Sequence, residues 1–414
     1  MEWKEVRLGD IVSIKSGLAY KGAFIGKGEN ILLGMGCVSF KDKFLFSGAR
    51  PYEADCEDKY CVGPGDIVLA TRQQSDNLPI LAMPAIIPSS LKAKKIIYGT
   101  NLYKVENHSE VTNDFLFWQL KTPDYIDYIS SVKTGSVVRM VTKKNVEDYV
   151  FRCPPKEVRD RISKLLWGLD RKIELNNKIN ADLEEMAQAI FKNWFVDFEP
   201  FKNGKFVDSE LGMIPEGWKV VTLDDLTSKF GTGLNPRKNF VLGHGNNYYV
   251  TIKNMGNNRI YLNDRCDKVD DEALAKINKR SKLQKGDLLF SGIGTIGRVA
   301  MIVDDPINWN TSESVFNMHP IDTVSSEFIY LLLLSDKFQQ YVQQNAQGGV
   351  QQGIRMASLK AFQFAIPNDL KLFDNLVKPI ISKVKSNDKE NDALSLLQDT
   401  LLPRLMSGEL EVPE

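Results

Sequence analysis

The chain has 414 residues, 43% of them hydrophobic and 26% charged, a balance typical of folded globular proteins and a length that suggests two to four structural units. Basic and acidic residues are equal at 53 each, so the chain lacks the basic surplus of most nucleic-acid-binding proteins. Five cysteines without a Cys-x-x-Cys pair and three widely separated histidines argue against a disulfide framework or a metal site.

The beginning of the chain lacks the basic and then apolar pattern of a signal peptide. The most apolar stretch, residues 328–334, is too short to cross a bilayer. We therefore expect a soluble, cytoplasmic protein.

A tandem repeat organises the sequence. Residues 3–11 recur at 218–226, and the Gly-Asp run at 65–69 recurs at 286–290. Six further matches share a constant offset of 213 residues: Phe115 with Phe328, Gly135 with Gly348, Val137 with Val350, Val146 with Leu359, Phe151 with Phe364 and Pro154 with Pro367. A constant offset over about forty residues is hard to obtain by chance, so we predict two domains of similar fold.

Each repeat begins with a segment of mixed pattern, residues 1–155 and 200–370. The runs that follow Gly65 and Gly286 are predicted to be strands that leave turns. Residues 115–128 and 327–342 are each predicted to be one amphipathic helix. The fold class that this pattern predicts is α+β.

A long helix is predicted after each mixed segment, at residues 156–199 and 371–414. The first has apolar residues at steps of three and four and a polar break at Lys172 and Asn176; the apolar set is Ile162, Leu165, Leu169, Ile179, Leu183, Met186 and Ile190. The second has a polar middle at 383–392 and a start that Pro379 is expected to bend or delay, and its apolar set is Leu376, Ile380, Leu394, Leu397, Leu401 and Leu405.

Two such helices, one after each repeat, predict an intramolecular antiparallel coiled coil in a pseudo-two-fold molecule. The alternative is that each helix is an ordinary linker packed on a single domain.

Four strings of the sequence resemble the specificity subunit of type I restriction–modification systems. LDRKIELNNKIN at 169–180 and LEEMAQAIFKNWFVDF at 183–198 are similar to the central helix region of that family. LLPRLMSGEL at 401–410 resembles its C-terminal ending, and IPEGW at 214–218 resembles the opening of a target-recognition domain. The resemblance covers the whole chain in the order domain, helix, domain, helix, although the distal helix matches the central one poorly.

The resemblance implies that each domain reads one half of a split DNA site and that the two helices hold the domains at a fixed separation. It also implies that two methyltransferase subunits dock on the helices and that motor-nuclease subunits join the complex. S-adenosylmethionine, ATP and magnesium would then belong to these partners, and this subunit would hold no cofactor and no metal.

Three motifs of catalytic proteins were weighed against this interpretation. Gly292 to Gly297 fits G-x-G-x-x-G, but strand-like rather than helical sequence follows it, which favours a glycine-rich turn over a dinucleotide site. Cys153-Pro154-Pro155-Lys156 lacks the end residues of an adenine methyltransferase motif, and no phosphate-binding loop motif occurs. The sequence therefore predicts a subunit without catalysis.

Candidate DNA contacts lie in polar loops with long hydrogen-bond donors, because Arg and Lys pair with guanine and Asn and Gln with adenine. In the first domain the candidates are Arg72, Gln73, Gln74, Ser75, Asn77, Thr134, Ser136, Arg139, Lys143 and Lys144. In the second domain they are Asn235, Arg237, Lys238, Lys253, Asn254, Arg259, Thr295, Arg298, Gln347, Gln351, Gln352 and Arg355. The alternative is that these loops are merely solvated.

An aromatic cluster of Trp194, Phe195 and Phe198, with Phe201 beside it, ends the central helix. Core packing against the second domain is the favoured interpretation, and docking of a methyltransferase subunit is the alternative. Two rival functions also stay open: the specificity subunit of a methylation-only or phage-exclusion system, and a coiled-coil adaptor that does not bind DNA.

Overall fold

The computed structural model describes residues 3–74, 79–263, 265–349 and 352–412. It divides into two compact units: unit 1 is Met1–Glu174 with Glu390–Glu414, and unit 2 is Leu175–Lys389. The boundaries fall inside two long helices, Lys156–Phe195 (the central helix) and Lys371–Ser407 (the distal helix). Each unit therefore contains one mixed domain and part of both helices.

Unit 1 contains domain 1, built on two four-stranded sheets. The first sheet is antiparallel, in the order Val12–Ser16, Leu102–Asn107, Ile67–Ala70, Pro84–Ile86. The second has a parallel central pair, in the order Ala49–Tyr52, Ile25–Leu33, Ile96–Tyr98, Cys61–Val62. Two shorter pairings join Lys4–Arg7 to Val150–Cys153 and Arg72–Gln73 to Arg139–Met140. All four residues of Ile67–Ala70 are buried, as expected of a strand covered on both faces.

Unit 2 repeats this topology in domain 2. Its first sheet has the order Thr227–Thr232, Val315–Pro320, Leu288–Ser291, Val299–Met301. Its second sheet again has a parallel pair, in the order Asp267–Val269, Asn247–Val250, Trp309–Thr311. Three two-stranded pairings complete it: Lys219–Thr222 with Gln363–Ile366, Phe206–Val207 with Ile214–Pro215, and Met255–Gly256 with Arg259–Ile260. The predicted α+β tandem repeat is thus confirmed: the first sheets match strand for strand, and the second sheets share a parallel pair with one antiparallel neighbour.

Three helices of each domain also correspond, whereas Leu8–Ile11 and Asp271–Arg280 lie at different positions of the repeat. Domain 1 has Leu8–Ile11, Asn113–Gln119, Pro123–Val132 and Lys143–Glu147. Domain 2 has Asp271–Arg280, Ser326–Leu334, Asp336–Asn345 and Met356–Lys360. The prediction of a single helix at 115–128 and at 327–342 is wrong, because each breaks at a hydroxyl residue. Thr122 accepts a hydrogen bond from the backbone N–H of Tyr125, and Ser335 accepts one from that of Phe338, so each starts a second helix.

The repeated Gly-Asp pair has a structural role in both domains. Asp66 accepts a hydrogen bond from the backbone N–H of Gly63 at 2.9 Å and pairs with Lys104 at 3.1 Å. Asp287, fully buried, accepts one from the N–H of Gln284 at 3.1 Å and pairs with Lys229 at 3.2 Å. Each carboxylate closes the turn that leads into the buried central strand, which explains why the pair recurs.

Within unit 1 the two long helices pack antiparallel. Ile162 and Leu166 share a core with Leu402 and Leu405. Further towards the C-terminus of the central helix, Lys172 pairs with Glu390 at 3.2 Å. Residue numbers on the distal helix therefore decrease as those on the central helix increase, as in an antiparallel pair.

Unit 2 shows the same direction. The Phe195 ring lies 4.8 Å from that of Phe373, and Asn180 accepts a 2.8 Å hydrogen bond from Asn387. The predicted antiparallel pairing of the helices is therefore confirmed inside each unit.

The buried face of the helices differs in detail from the predicted face. Met186 is 51% exposed, whereas Ala187 and Phe191 are buried. The buried face of this part of the central helix is therefore displaced by one residue towards the C-terminus. On the distal helix Leu376 is 48% exposed, and the helix starts at Lys371, ahead of Pro379, and continues through it. The expectation of a delayed start is wrong. Among the described residues no helix combines the length and the apolar character that a membrane span needs.

Candidate nucleic-acid interface

Residues 134–140 form a closed hairpin, hairpin 1, on domain 1. Thr134 and Met140 exchange two backbone hydrogen bonds of 2.9 Å each. Gly135 has φ +92°, and a Cβ there would lie 2.1 Å from the carbonyl oxygen of Val138, so the turn requires glycine. The Arg139 guanidinium donates to the Gly135 carbonyl and ties the two ends of the turn together.

Hairpin 1 lies against the loop that follows the buried strand Ile67–Ala70. Arg72–Gln73 pairs with Arg139–Met140, with Gln73 opposite Arg139. The backbone N–H of Val141 donates to the Thr71 carbonyl at 3.4 Å. The two segments of domain 1 that the sequence proposed for DNA contact are therefore neighbours in space, although Ser75 and Asn77 lie outside the described residues.

Domain 2 has a similar closure, called hairpin 2, in which Gln347 and Gly353 exchange two backbone hydrogen bonds of 2.8 Å. The N–H of Gly294 donates to the Gln352 carbonyl at 2.7 Å, which joins hairpin 2 to the glycine-rich turn. This turn connects the antiparallel strands Leu288–Ser291 and Val299–Met301, so it is not the start of a βαβ unit. Gln351 lies outside the described residues.

Most of the predicted donors that the structure describes are exposed. In domain 1 the exposed ones are Arg72, Gln74, Thr134, Ser136, Lys143 and Lys144, with Arg139 half-buried. In domain 2 they are Arg237, Lys238, Lys253, Thr295, Gln347, Gln352 and Arg355. Their side chains are accessible for contacts with phosphate oxygens or base edges.

Five predicted donors are instead committed to contacts inside their own unit. Gln73 is buried and accepts from the N–H of Leu81 at 3.1 Å, and Asn235 donates to Glu313. Asn254 is buried and caps its own turn by accepting from the N–H of Thr251 at 2.9 Å.

The remaining two are arginines. Arg298 donates to the carbonyls of Ile252 and Met255 at 2.9 and 2.5 Å. Arg259, only 17% exposed, lies 3.5 Å from Asp388 on the distal helix. A base contact by any of the five would require these bonds to break, so the structure argues against that role for them.

The two surfaces differ in charge. Residues 128–146, which include hairpin 1, contain four lysines and arginines and no carboxylate. Residues 341–359, the equivalent stretch of domain 2, contain one arginine, no carboxylate and several glutamines. The stretch around hairpin 1 is therefore the more strongly cationic, and the equivalent stretch of domain 2 is richer in amides.

A loop of domain 1 is held by two lysines, one that pairs with the central helix and one that bonds to the loop from within domain 1. Lys43 pairs with Asp170 and, at 2.7 Å, with Glu174, and lies 4.9 Å from the Trp167 ring centre. Lys121, 9% exposed, donates to the Lys41 carbonyl at 3.1 Å. Burial lowers the pKa of Lys121 to about 8, although nearby carboxylates oppose the shift.

A loop of domain 2 is held on the helices of unit 2 in a similar way. Buried Lys385 donates to the Asn258 carbonyl at 3.1 Å, and Asn258 donates to Glu184 on the central helix at 3.3 Å. Burial lowers the pKa of Lys385 and raises that of Glu184. Each unit thus uses a buried lysine to hold a loop carbonyl next to a long helix.

The aromatic cluster at the end of the central helix belongs to the core of unit 2. Phe195 is buried against Phe373 and Phe328, and Trp194 lies 5.8 Å from the Phe373 ring. Phe198 packs on Trp218 at 5.3 Å. This packing argues against docking of a partner on Phe195, because its side chain has no accessible face.

Sequence reasoning missed several exposed apolar side chains. Val137, at the apex of hairpin 1, is 82% exposed. On the helices, Leu372 is 72% exposed in unit 2 and Leu396 is 68% exposed in unit 1. Neither leucine belongs to the apolar set that the heptad pattern assigned to the seam. No group of three or more metal-ligating side chains occurs in the part of the chain that the structure describes.

The chain is similar to known proteins in both sequence and fold. The family model described as the type I restriction modification DNA specificity domain matches residues 1–185 and 215–391. The HindI specificity subunit of Haemophilus influenzae is 24% identical over 477 residues, covering 99% of this chain and all of the relative. The MjaIX specificity subunit of Methanocaldococcus jannaschii is 27% identical over 311 residues, covering 73% and 70%.

Among solved structures, a type I restriction–modification S subunit from M. genitalium matches with a TM-score of 0.53 and 13% identity, covering 98% of this chain and 96% of the other. This likeness supports the fold. The family match covers both domains and most of both long helices, so the chain belongs to the type I restriction–modification DNA specificity family and acts in DNA recognition rather than in catalysis.

Proposed function

We propose that this chain binds a two-part, asymmetric DNA site, with one half-site read by each domain. The observation that carries the proposal is the pair of equivalent surfaces, each made of a closed hairpin joined to the loop after the buried strand. Two readers of the same fold suit two half-sites, and their different side chains suit two different sequences.

The long helices are proposed to set the gap between the half-sites and to carry the partner subunits. Exposed leucines on a helix are typical of a face that a partner covers. Leu372 and Leu376 in unit 2 and Leu396 and Leu397 in unit 1 supply such faces, and they replace the buried Phe195 as candidates for docking methyltransferase subunits. The cytoplasm, where DNA and these partners meet, is the proposed location.

The chemistry is proposed to belong to the partners. Methyltransferase subunits would supply S-adenosylmethionine chemistry, and motor-nuclease subunits would use ATP and magnesium. A near-neutral reader fits such an assembly, because partner subunits can add phosphate contacts that this chain lacks.

A genome-wide map of methylated bases tests the proposal. Cells would express the chain with its own methyltransferase partner, and cells with the partner alone are the control. We expect a new motif of two unlike half-sites around a fixed gap. If the assembled complex adds no motif, the chain is an adaptor and not a DNA reader. Adding the motor-nuclease subunit and challenging with phage then separates a restricting system from a methylation-only one.

A further inference from the structure

The apex of hairpin 1 exposes apolar side chains to solvent. Val137 is 82% exposed, Val138 38% and Met140 41%. One exposed apolar residue on a protein surface is ordinary, but here three lie within four positions of a closed turn. Hairpin 2 has Gly348 and Gly349 at the positions equivalent to Gly135 and Ser136, and so begins its turn with less side-chain bulk.

The apex is held in place before any ligand binds. The Thr134–Met140 hydrogen bonds close the hairpin, and the Arg139 guanidinium ties its ends through the Gly135 carbonyl. The pairing of Arg72–Gln73 with Arg139–Met140 fixes the hairpin to domain 1. A contact made by an apex ordered in this way loses little conformational freedom on binding.

The surroundings of the apex favour a polyanion. Lys133, Arg139, Lys143 and Lys144 flank it in the sequence without an intervening carboxylate, and exposed Arg72 lies opposite Met140. A two-stranded hairpin fits the major groove of DNA, which is about 12 Å wide. The cations would then face phosphates on the groove walls while the apex faces the base edges.

We propose that Val137 and Val138 contact the 5-methyl group of thymine in the half-site that domain 1 reads. The methyl of thymine is the apolar group that base edges present in the major groove, and aliphatic side chains pack against it. Valine is shorter than the Phe, Leu, Ile and Met wedges that separate base steps, so contact without unstacking is expected. The inference rests on the proposed DNA-reading function and names one specificity contact within it.

Replacement of thymine by uracil tests the contact, since it removes only the methyl group. The assembled complex with methyltransferase subunits would be titrated with duplexes carrying the mapped site. Uracil at one thymine of the domain 1 half-site should weaken binding about fourfold, which corresponds to about 0.8 kcal/mol for one buried methyl. Uracil in the other half-site is the matched DNA control and should have no comparable effect through these valines.

The double variant Val137→Ala and Val138→Ala should bind the thymine and uracil duplexes equally. Ile307→Ala, which removes an 84% exposed side chain in unit 2, should keep the fourfold difference. The inference is overturned if the double variant retains the thymine preference, if the domain 1 half-site contains no A·T pair, or if the variant loses its methyltransferase partner, which would make the apex a protein contact. A mapped two-part motif without uracil sensitivity leaves the proposed function standing, whereas the absence of any motif defeats both.

Discussion

The two domains share a backbone design and differ in the chemistry of the surface it displays. Hairpin 1 and its flanks contain four lysines and arginines, whereas the equivalent stretch of domain 2 offers glutamines, glycines and one arginine, with the valine of position 137 recurring at position 350. Both hairpins are closed by the same pair of backbone bonds, 213 residues apart in the chain. The comparison teaches that the repeat preserves the platform, while side chains that make no fold-stabilising contact are free to diverge between readers.

A domain exchange tests most directly whether the two domains read their half-sites independently. If residues 1–155 are replaced by those of another family member, we expect one half-site to change completely and the other to stay unchanged, because each hairpin is fixed inside its own domain. Lys43, or its equivalent, must be kept so that the loop still reaches the central helix. Mapping of methylated bases reads the result, and a change in both half-sites would refute independent readers.

Burial of a lysine near the long helices is predicted to lower stability. Lys121→Met should raise the free energy of unfolding at pH 7 by up to about 3 kcal/mol, since burial holds the lysine pKa near 8 rather than near its usual 10.4. Between these two pH values the unfolded chain binds more protons than the folded one, so the wild type gains stability as pH rises. The difference in free energy of unfolding between wild type and variant should therefore decrease from pH 8 to about pH 10.5.

Urea unfolding across that pH range measures the effect of Lys121→Met. Lys164→Met, at an exposed position of the central helix, is the control for removal of a lysine charge. If the difference in free energy of unfolding between wild type and Lys121→Met stays constant over this pH range, the lysine is not held in an environment that lowers its pKa.

The polar contacts between the helices differ between the units. Asn387, 1% exposed, donates to Asn180 at 2.8 Å, whereas Lys172 and Glu390 are both more than 40% exposed. Asn387→Ala should cost about 1–3 kcal/mol of stability because it leaves a buried amide oxygen without this donor. Lys172→Ala should cost less than about 1 kcal/mol and lose its effect at high salt. Denaturation at two salt concentrations measures both, and equal costs would contradict the assigned difference.

The charge difference between the hairpins gives the smallest expected effect. Lys143→Gln with Lys144→Gln should make the slope of log affinity against log salt shallower by about 1–2, with similar weakening for specific and non-specific DNA. Ala357→Lys, at the exposed position of domain 2 equivalent to Lys144, should make the slope steeper by about 1. Binding titrations at several salt concentrations test the pair of changes, and unchanged slopes would place neither surface near phosphate.

The sequence alone determined the tandem repeat, the α+β class and the presence of two long helices. These features rest on local patterns that recur at fixed spacing, such as the Gly-Asp turn whose carboxylate closes its own loop. It also indicated both hairpins as candidate contacts, because the aligned segments combined turn residues with long donors. The helix breaks at Thr122 and Ser335 could have been predicted too, since a hydroxyl that can cap a new helix is a local signal.

Only the tertiary structure decided which donors remain available and which face of each helix is buried. Gln73, Asn254 and Arg298 are of the same residue types as the exposed donors, but their side chains form hydrogen bonds with backbone groups of their own domains. Met186 fits a heptad seam, yet Ala187 and Phe191 occupy it, because the partner helix and the domain both pack against this face. The availability of a donor and the buried face of a helix depend on contacts between residues distant in sequence, and a local sequence pattern does not predict these contacts.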